Sequence, residues 1–152
     1  MKNRFIQDIT LTVPAGAVEE LMQNFLSVNC FYETEWNGEA CWAADNGLCE
    51  KYRMFLYSYE YGVLHIEAWL RSGKNGEYSL NGWGAMIDRK NYMDLMQLLI
   101  ERALVLIPYD RRPRVEDVLS AADKRAIKRY RIVWPLVMIA VILFVMVLPY
   151  VL

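Results

Sequence analysis

The sequence predicts an α+β domain, an antiparallel meander sheet covered by two amphipathic helices, followed by a basic juxtamembrane helix and one C-terminal transmembrane helix. Strand-like runs joined by short turns make antiparallel neighbours. Two stretches with apolar residues at helical spacing need a sheet face to cover. The last 21 residues, Ile132–Leu152, contain no charge.

Phe5 to Val13 alternates, with Ile9, Leu11 and Val13 on one side and Asp8, Thr10 and Thr12 on the other. That is the pattern of a strand with one wet face. Pro14-Ala15-Gly16 breaks it. Val18, Leu21, Met22 and Phe25 then fall at i, i+3, i+4 and i+7, opposite Glu19, Glu20, Gln23 and Asn24, as in an amphipathic helix. Asn37-Gly38 between Phe31–Trp36 and Glu39–Ala44 marks a hairpin, since both central residues of a type I′ turn need positive φ. Asp45-Asn46-Gly47 is a second break.

Arg53–Tyr61 and Val63–Arg71 form the next hairpin. A two-residue turn at Tyr61-Gly62 pairs Glu60 with Val63, Tyr59 with Leu64, Tyr57 with Ile66 and Phe55 with Ala68, leaving one face apolar and aromatic. The other face then carries Ser58, Glu60, His65, Glu67 and Trp69, and a one-residue slip would mix the two sets. Tyr at a positive-φ site is unfavourable, so a longer loop there is the alternative. After the loop at Ser72–Gly76, Glu77–Asp88 reads as a last strand, its Gly82 and Gly84 suggesting a bulge or a close backbone approach. Tyr92, Leu95, Met96, Leu99 and Ala103 line one face of a helix that Pro108 ends.

Composition divides the chain into a soluble domain (1–110), a basic juxtamembrane helix or linker (111–131) and a transmembrane helix (132–152). Residues 1–110 hold nine Lys/Arg against fifteen Asp/Glu, whereas 111–131 hold eight against three. An acidic body argues against nucleic acid as a partner, because phosphate neutralisation needs a basic face. Val115, Val118, Leu119, Ala122, Ala126 and Tyr130 recur at helical spacing through the basic segment, which is either solvated or lies on the membrane.

Twenty apolar residues at 1.5 Å each cross a hydrocarbon core of about 30 Å. Trp134 and Tyr150 stand about 24 Å apart along such a helix, one in each interfacial belt. Pro135 and Pro149 fall in its first and last turns, where proline does least harm. Lys124, Arg125, Lys128, Arg129 and Arg131 precede the span, so the positive-inside rule expects the domain in the cytoplasm, tail-anchored to the cell membrane. The lipid bilayer is thus an expected partner, and the basic residues expected contacts of anionic headgroups.

Residues 51–99, with "Y-x-x-G-x-L-x-I-E-A-W" at Tyr59–Trp69, "L-x-G-x-G" at Leu80–Gly84 and the helix that follows, resemble a domain of small uncharacterised bacterial membrane proteins. Some of those carry a zinc ribbon before the domain and a transmembrane helix after it. The ribbon cysteines are missing here, so the resemblance implies no metal, and it implies no reaction.

Cys30, Cys41 and Cys49 include no CxxC pair, and reduced thiols in a cytosolic domain are expected. There is no GxGxxG, GKS/T, HExxH, DxDxDG or GxSxG motif, and no cofactor is expected. His65, the only histidine, shares a strand face with Glu67 about 7 Å away at Cα, and Ser58 is expected directly opposite. An enzyme would centre on His65, Glu67 and Ser58. The leading expectation is instead a non-enzymatic module binding a protein or a small ligand, with Trp69, Trp83, His65 and Glu67 as its candidate surface. Trp36, Trp42, Tyr57, Tyr59, Tyr61, Trp69, Tyr78 and Trp83 either line a ligand cavity or form core. A structural subunit of a membrane assembly is a third possibility, although the span offers only Ala140 for small-residue packing.

Overall fold

The computed structural model of the protein describes residues 3–45, 53–73, 76–83 and 86–151. Its elements are β1 (Phe5–Thr10), α1 (Ala15–Val28), β2 (Tyr32–Trp36), β3 (Glu39–Ala44), β4 (Arg53–Glu60), β5 (Val63–Ser72), β6 (Gly76–Tyr78), α2 (Met86–Val105), a 3-10 turn at Tyr109–Arg111, α3 (Val115–Val118) and α4 (Ala121–Val151). All strand pairs are antiparallel, in the order β1-β5-β4-β3-β2. The chain is α+β, as expected, with β2 to β5 forming the meander.

Turn chemistry sets the register. Asn37-Gly38 and Tyr61-Gly62 have all four central residues at positive φ, at 53°, 81°, 51° and 77°. Type I′ geometry matches the strand twist and pairs Trp36 with Glu39 and Glu60 with Val63. Tyr61 therefore accepts the left-handed conformation, its side chain wholly in solvent, and the longer-loop alternative does not occur. Asn46, Gly47, Cys49 and Gly84 lie outside the described residues.

The predicted strand from Glu77 to Asp88 is only three residues long. β1 occupies the free edge of β5 from Val63 to Ala68, so β6 can pair only with Leu70–Ser72. Beyond Tyr78 the chain turns, and α2 starts at Met86.

One sheet face packs under α1 and α2. Phe5, Ile9, Phe55, Leu64, Ile66, Ala68 and Leu70 meet Val18, Met22, Phe25 and Leu26 of α1 and Tyr92, Met93, Met96, Leu99, Ile100 and Ala103 of α2 in one cluster. The rings of Phe25, Phe31, Phe55 and Tyr92 stack or tilt at 5.3 to 6.4 Å between centroids, and the Tyr92 hydroxyl donates to the Met54 carbonyl. These aromatics are core, and burial of their apolar area stabilises the domain by about 25 cal/mol per Å².

The basic segment is not one helix. Leu119 adopts extended backbone after α3, and Ser120 caps a new helix, its Oγ accepting the Asp123 N–H at 3.2 Å. From Ala121 the helix runs 31 residues, through the apolar stretch, without interruption. Pro135 is therefore well inside α4 rather than in a first turn, and the bond to the Arg131 carbonyl is missing there.

Candidate functional site

Two places concentrate the polar side chains the sequence singles out: the sheet face away from the helices, and the junction where α4 leaves the domain.

The second sheet face carries its own apolar cluster of Trp36, Cys41, Ala43, Met54 and Trp69. The sheet curls around it, because residues of strands that are not neighbours touch across the face. Trp36 Nε1 of β2 donates to Glu77 Oε1 of β6 at 3.0 Å. Arg4, just before β1, pairs with Glu39 of β3 at 2.8 Å, Glu67 of β5 at 2.7 Å and Glu77 at 2.7 Å. Its guanidinium lies 3.6 Å from the Trp69 ring centroid and its side chain is 1% exposed. Burial pulls the Arg4 pKa down, but hydrogen bonds to Glu77, Glu67 and Glu39 outweigh it and hold the group charged. The cation among these three carboxylates is thus the protein's own, and the described residues hold no group of three His, Cys, Asp or Glu arranged for a metal.

Trp69 is fully buried beneath Arg4. It cannot serve as the exposed docking surface expected of it, because a wet-face aromatic of that size is covered by the stacking cation. Arg4 itself was not legible as a site residue. The available signal was a large aromatic, Trp69, among polar neighbours on a strand's wet face, which calls for a cover.

His65 stands opposite both Asp8 and Ser58 in the sheet. Its Nδ1 is 2.6 Å from Asp8 Oδ1 and its Nε2 3.1 Å from Glu67 Oε1. Carboxylates beside both ring nitrogens favour the doubly protonated ring, which can donate to each. Burial alone would lower its pKa, but the hydrogen bonds with Asp8 and Glu67 raise it. The expected centre of His65, Glu67 and Ser58 thus comes together as strand neighbours, yet both ring nitrogens face carboxylates rather than Ser58. Cys41 is buried, and burial pushes its thiol pKa up, away from the reactive thiolate.

At the second place, the first turns of α4 are built into the domain. Ala126 and Tyr130 join the main core. The Tyr130 hydroxyl donates to the carbonyls of Leu80 and Gly82 at 2.6 and 3.1 Å. Arg129 donates to the carbonyls of Asn81 and Gly82 at 2.8 and 3.0 Å and lies 4.7 Å from the Trp83 ring centroid. Asp123, buried at the helix start, accepts from Gln7 and Asn81. Gln7 points to the core side of β1, so this polar residue on the apolar face is the socket for α4.

Arg129, expected to face headgroups, is therefore committed to the Asn81–Trp83 turn. Lys124, Arg125, Lys128 and Arg131 are exposed, and Trp134 is half-buried. The side chain of Tyr150 lies outside the described residues. Trp83 remains an exposed aromatic at 70%. From Ile132 to Met146 the helix is apolar and almost entirely exposed, and it is the one helix among the described residues long and apolar enough to cross a membrane.

No protein-family model, curated protein or solved structure matches the chain.

Proposed function

We propose that the chain is a single-pass protein of the cell membrane, anchored by the apolar part of α4, whose α+β domain faces the cytoplasm and binds a protein or small ligand without catalysing a reaction. One observation carries this reading. A single helix begins inside the domain core at Asp123, Ala126 and Tyr130 and continues as exposed apolar residues from Ile132 to Met146. Soluble monomers rarely leave an apolar surface of that extent in water, whereas each Leu, Ile, Val or Phe at a span's centre favours insertion by about 0.3–0.6 kcal/mol. The exposed Lys124, Arg125, Lys128 and Arg131 support the cytoplasmic orientation. Trp83 is the candidate contact for a partner.

Cys30 supplies the test, since it is exposed on the domain while Cys41 is buried. In a Cys49→Ser background, a membrane-impermeant maleimide is expected to label Cys30 in inverted bacterial membrane vesicles and not in intact spheroplasts. Labelling in spheroplasts would place the domain outside and overturn the orientation. Release of the chain from membranes by alkaline carbonate would overturn the anchor.

A further inference from the structure

We propose that the groove between α2, α3 and α4 seats the headgroup of one anionic glycerophospholipid, with Lys124, Lys128 and Arg131 as its phosphate ligands. The proposal rests on the reading that α4 enters a bilayer at Ile132.

The groove has a volume of about 450 Å³. One wall is the face of α4 that carries Lys124, Lys128 and Arg131 at i, i+4 and i+7, rising about 6 and 4.5 Å from one to the next. These three cations make no ion pair among the described residues. Across the groove stand Gln97 of α2 and Glu116 of α3, so a single carboxylate faces three cations and the balance is positive. Leu119 and Ile127 make the floor apolar. The other basic residues of α4 are placed differently: Arg125 does not line the groove, and Arg129 is bound to the Asn81 and Gly82 carbonyls.

Position decides the class of ligand. A free phosphate and a lipid phosphate share the same chemistry at the three cations. Only a lipid also uses what lies below them. Ile132 closes the groove at the membrane side, and Leu136 and Ile139 continue its face at i+4 and i+7, each more than half exposed. A glycerophospholipid with its phosphate at Lys128 and Arg131 lays its acyl chains along that strip. Charge at the interface and hydrocarbon immediately beneath it match an anionic amphiphile, not a soluble anion.

The full chain in dodecyl maltoside micelles is titrated with dioctanoyl phosphatidylglycerol, dioctanoyl phosphatidylcholine and inorganic phosphate, with occupancy read by native mass spectrometry. One phosphatidylglycerol is expected to bind per chain, about tenfold or more tighter than phosphatidylcholine, with inorganic phosphate weaker still. Lys128→Gln/Arg131→Gln is expected to weaken phosphatidylglycerol about thirtyfold. Arg102→Gln/Arg111→Gln removes the same charge outside the groove and should change it less than about threefold. Equal losses in both variants, equal affinity for the two lipids, or inorganic phosphate binding as tightly as phosphatidylglycerol would each overturn the lipid seat. Carbonate extraction of the same membranes separates the two failures. Release of the wild-type chain means that the anchor reading is wrong, and retention without lipid selectivity means that the groove alone is.

Discussion

Arg4→Met leaves Glu39, Glu67 and Glu77 facing one another around an apolar side chain. In the native fold the guanidinium lies 2.8, 2.7 and 2.7 Å from these carboxylates. Removing one partner of a buried ion pair costs about 3–5 kcal/mol, against about 0–1 kcal/mol for an exposed pair. The Arg4 side chain is buried, but the three glutamates keep 30%, 15% and 11% exposure. Water therefore takes up part of the loss, and the expected cost at pH 7 is about 3 kcal/mol. Its pH dependence is more diagnostic. In the wild type, the hydrogen bond from Arg4 leads the causes that hold Glu77 below its ordinary pKa, so the stability it contributes is present above that value and lost as pH falls through the depressed one. Without Arg4, crowded like charges push the carboxylate pKa values up, and the variant gains stability as pH falls from 7 to 5. Urea unfolding of the full chain in nonionic micelles, followed by tryptophan fluorescence at pH 7 and pH 5, reads both numbers. A loss under 1 kcal/mol at pH 7, or an equal loss at the two pH values, would refute the account of Arg4 as the buried cation that closes the sheet.

Three further outcomes follow from particular residues. His65 has a raised pKa, so the stability it contributes is fully present below its unfolded value of about 6.5 and is lost as pH rises through the folded one. The wild-type Tm should fall between pH 6 and pH 8.5, and His65→Gln should remove that slope. Cys30 sits at φ 56° just past the end of α1, where glycine relieves a left-handed conformation. Cys30→Gly should stabilise the chain by about 0.5–1 kcal/mol in urea titrations. Tyr130→Phe removes the hydroxyl that donates to the Leu80 carbonyl and shares the Gly82 carbonyl with Arg129. It should cost about 1–2 kcal/mol and speed hydrogen exchange in residues 121–130.

What the sequence makes legible is whatever depends on short-range chemistry. The Asn37-Gly38 and Tyr61-Gly62 turns determine two registers, and the 3.6-residue period of α1 and α2 identifies the faces buried in the core. What it hides depends on long-range competition. Glu77–Asp88 looks like a strand until β1 takes the edge it needs. Residues 115–131 look like one helix until Ser120 is read with Asp123 as a cap-box pattern that starts a new one. The Arg4 cluster joins residues 35 to 73 positions apart, and no local pattern announces it. Arg129 looks like any juxtamembrane cation, and only its three-dimensional setting shows that it holds the Asn81–Trp83 turn.

Hydrogen exchange of the full chain in phospholipid nanodiscs tests whether one helix both completes the domain and enters the bilayer. Strong protection is expected at every amide from Lys124 to Met146, Pro135 having none, because the domain shields the first turns and lipid the rest. Fast exchange across residues 131–135, or from Leu136 to Met146 at solvent rates, would contradict it.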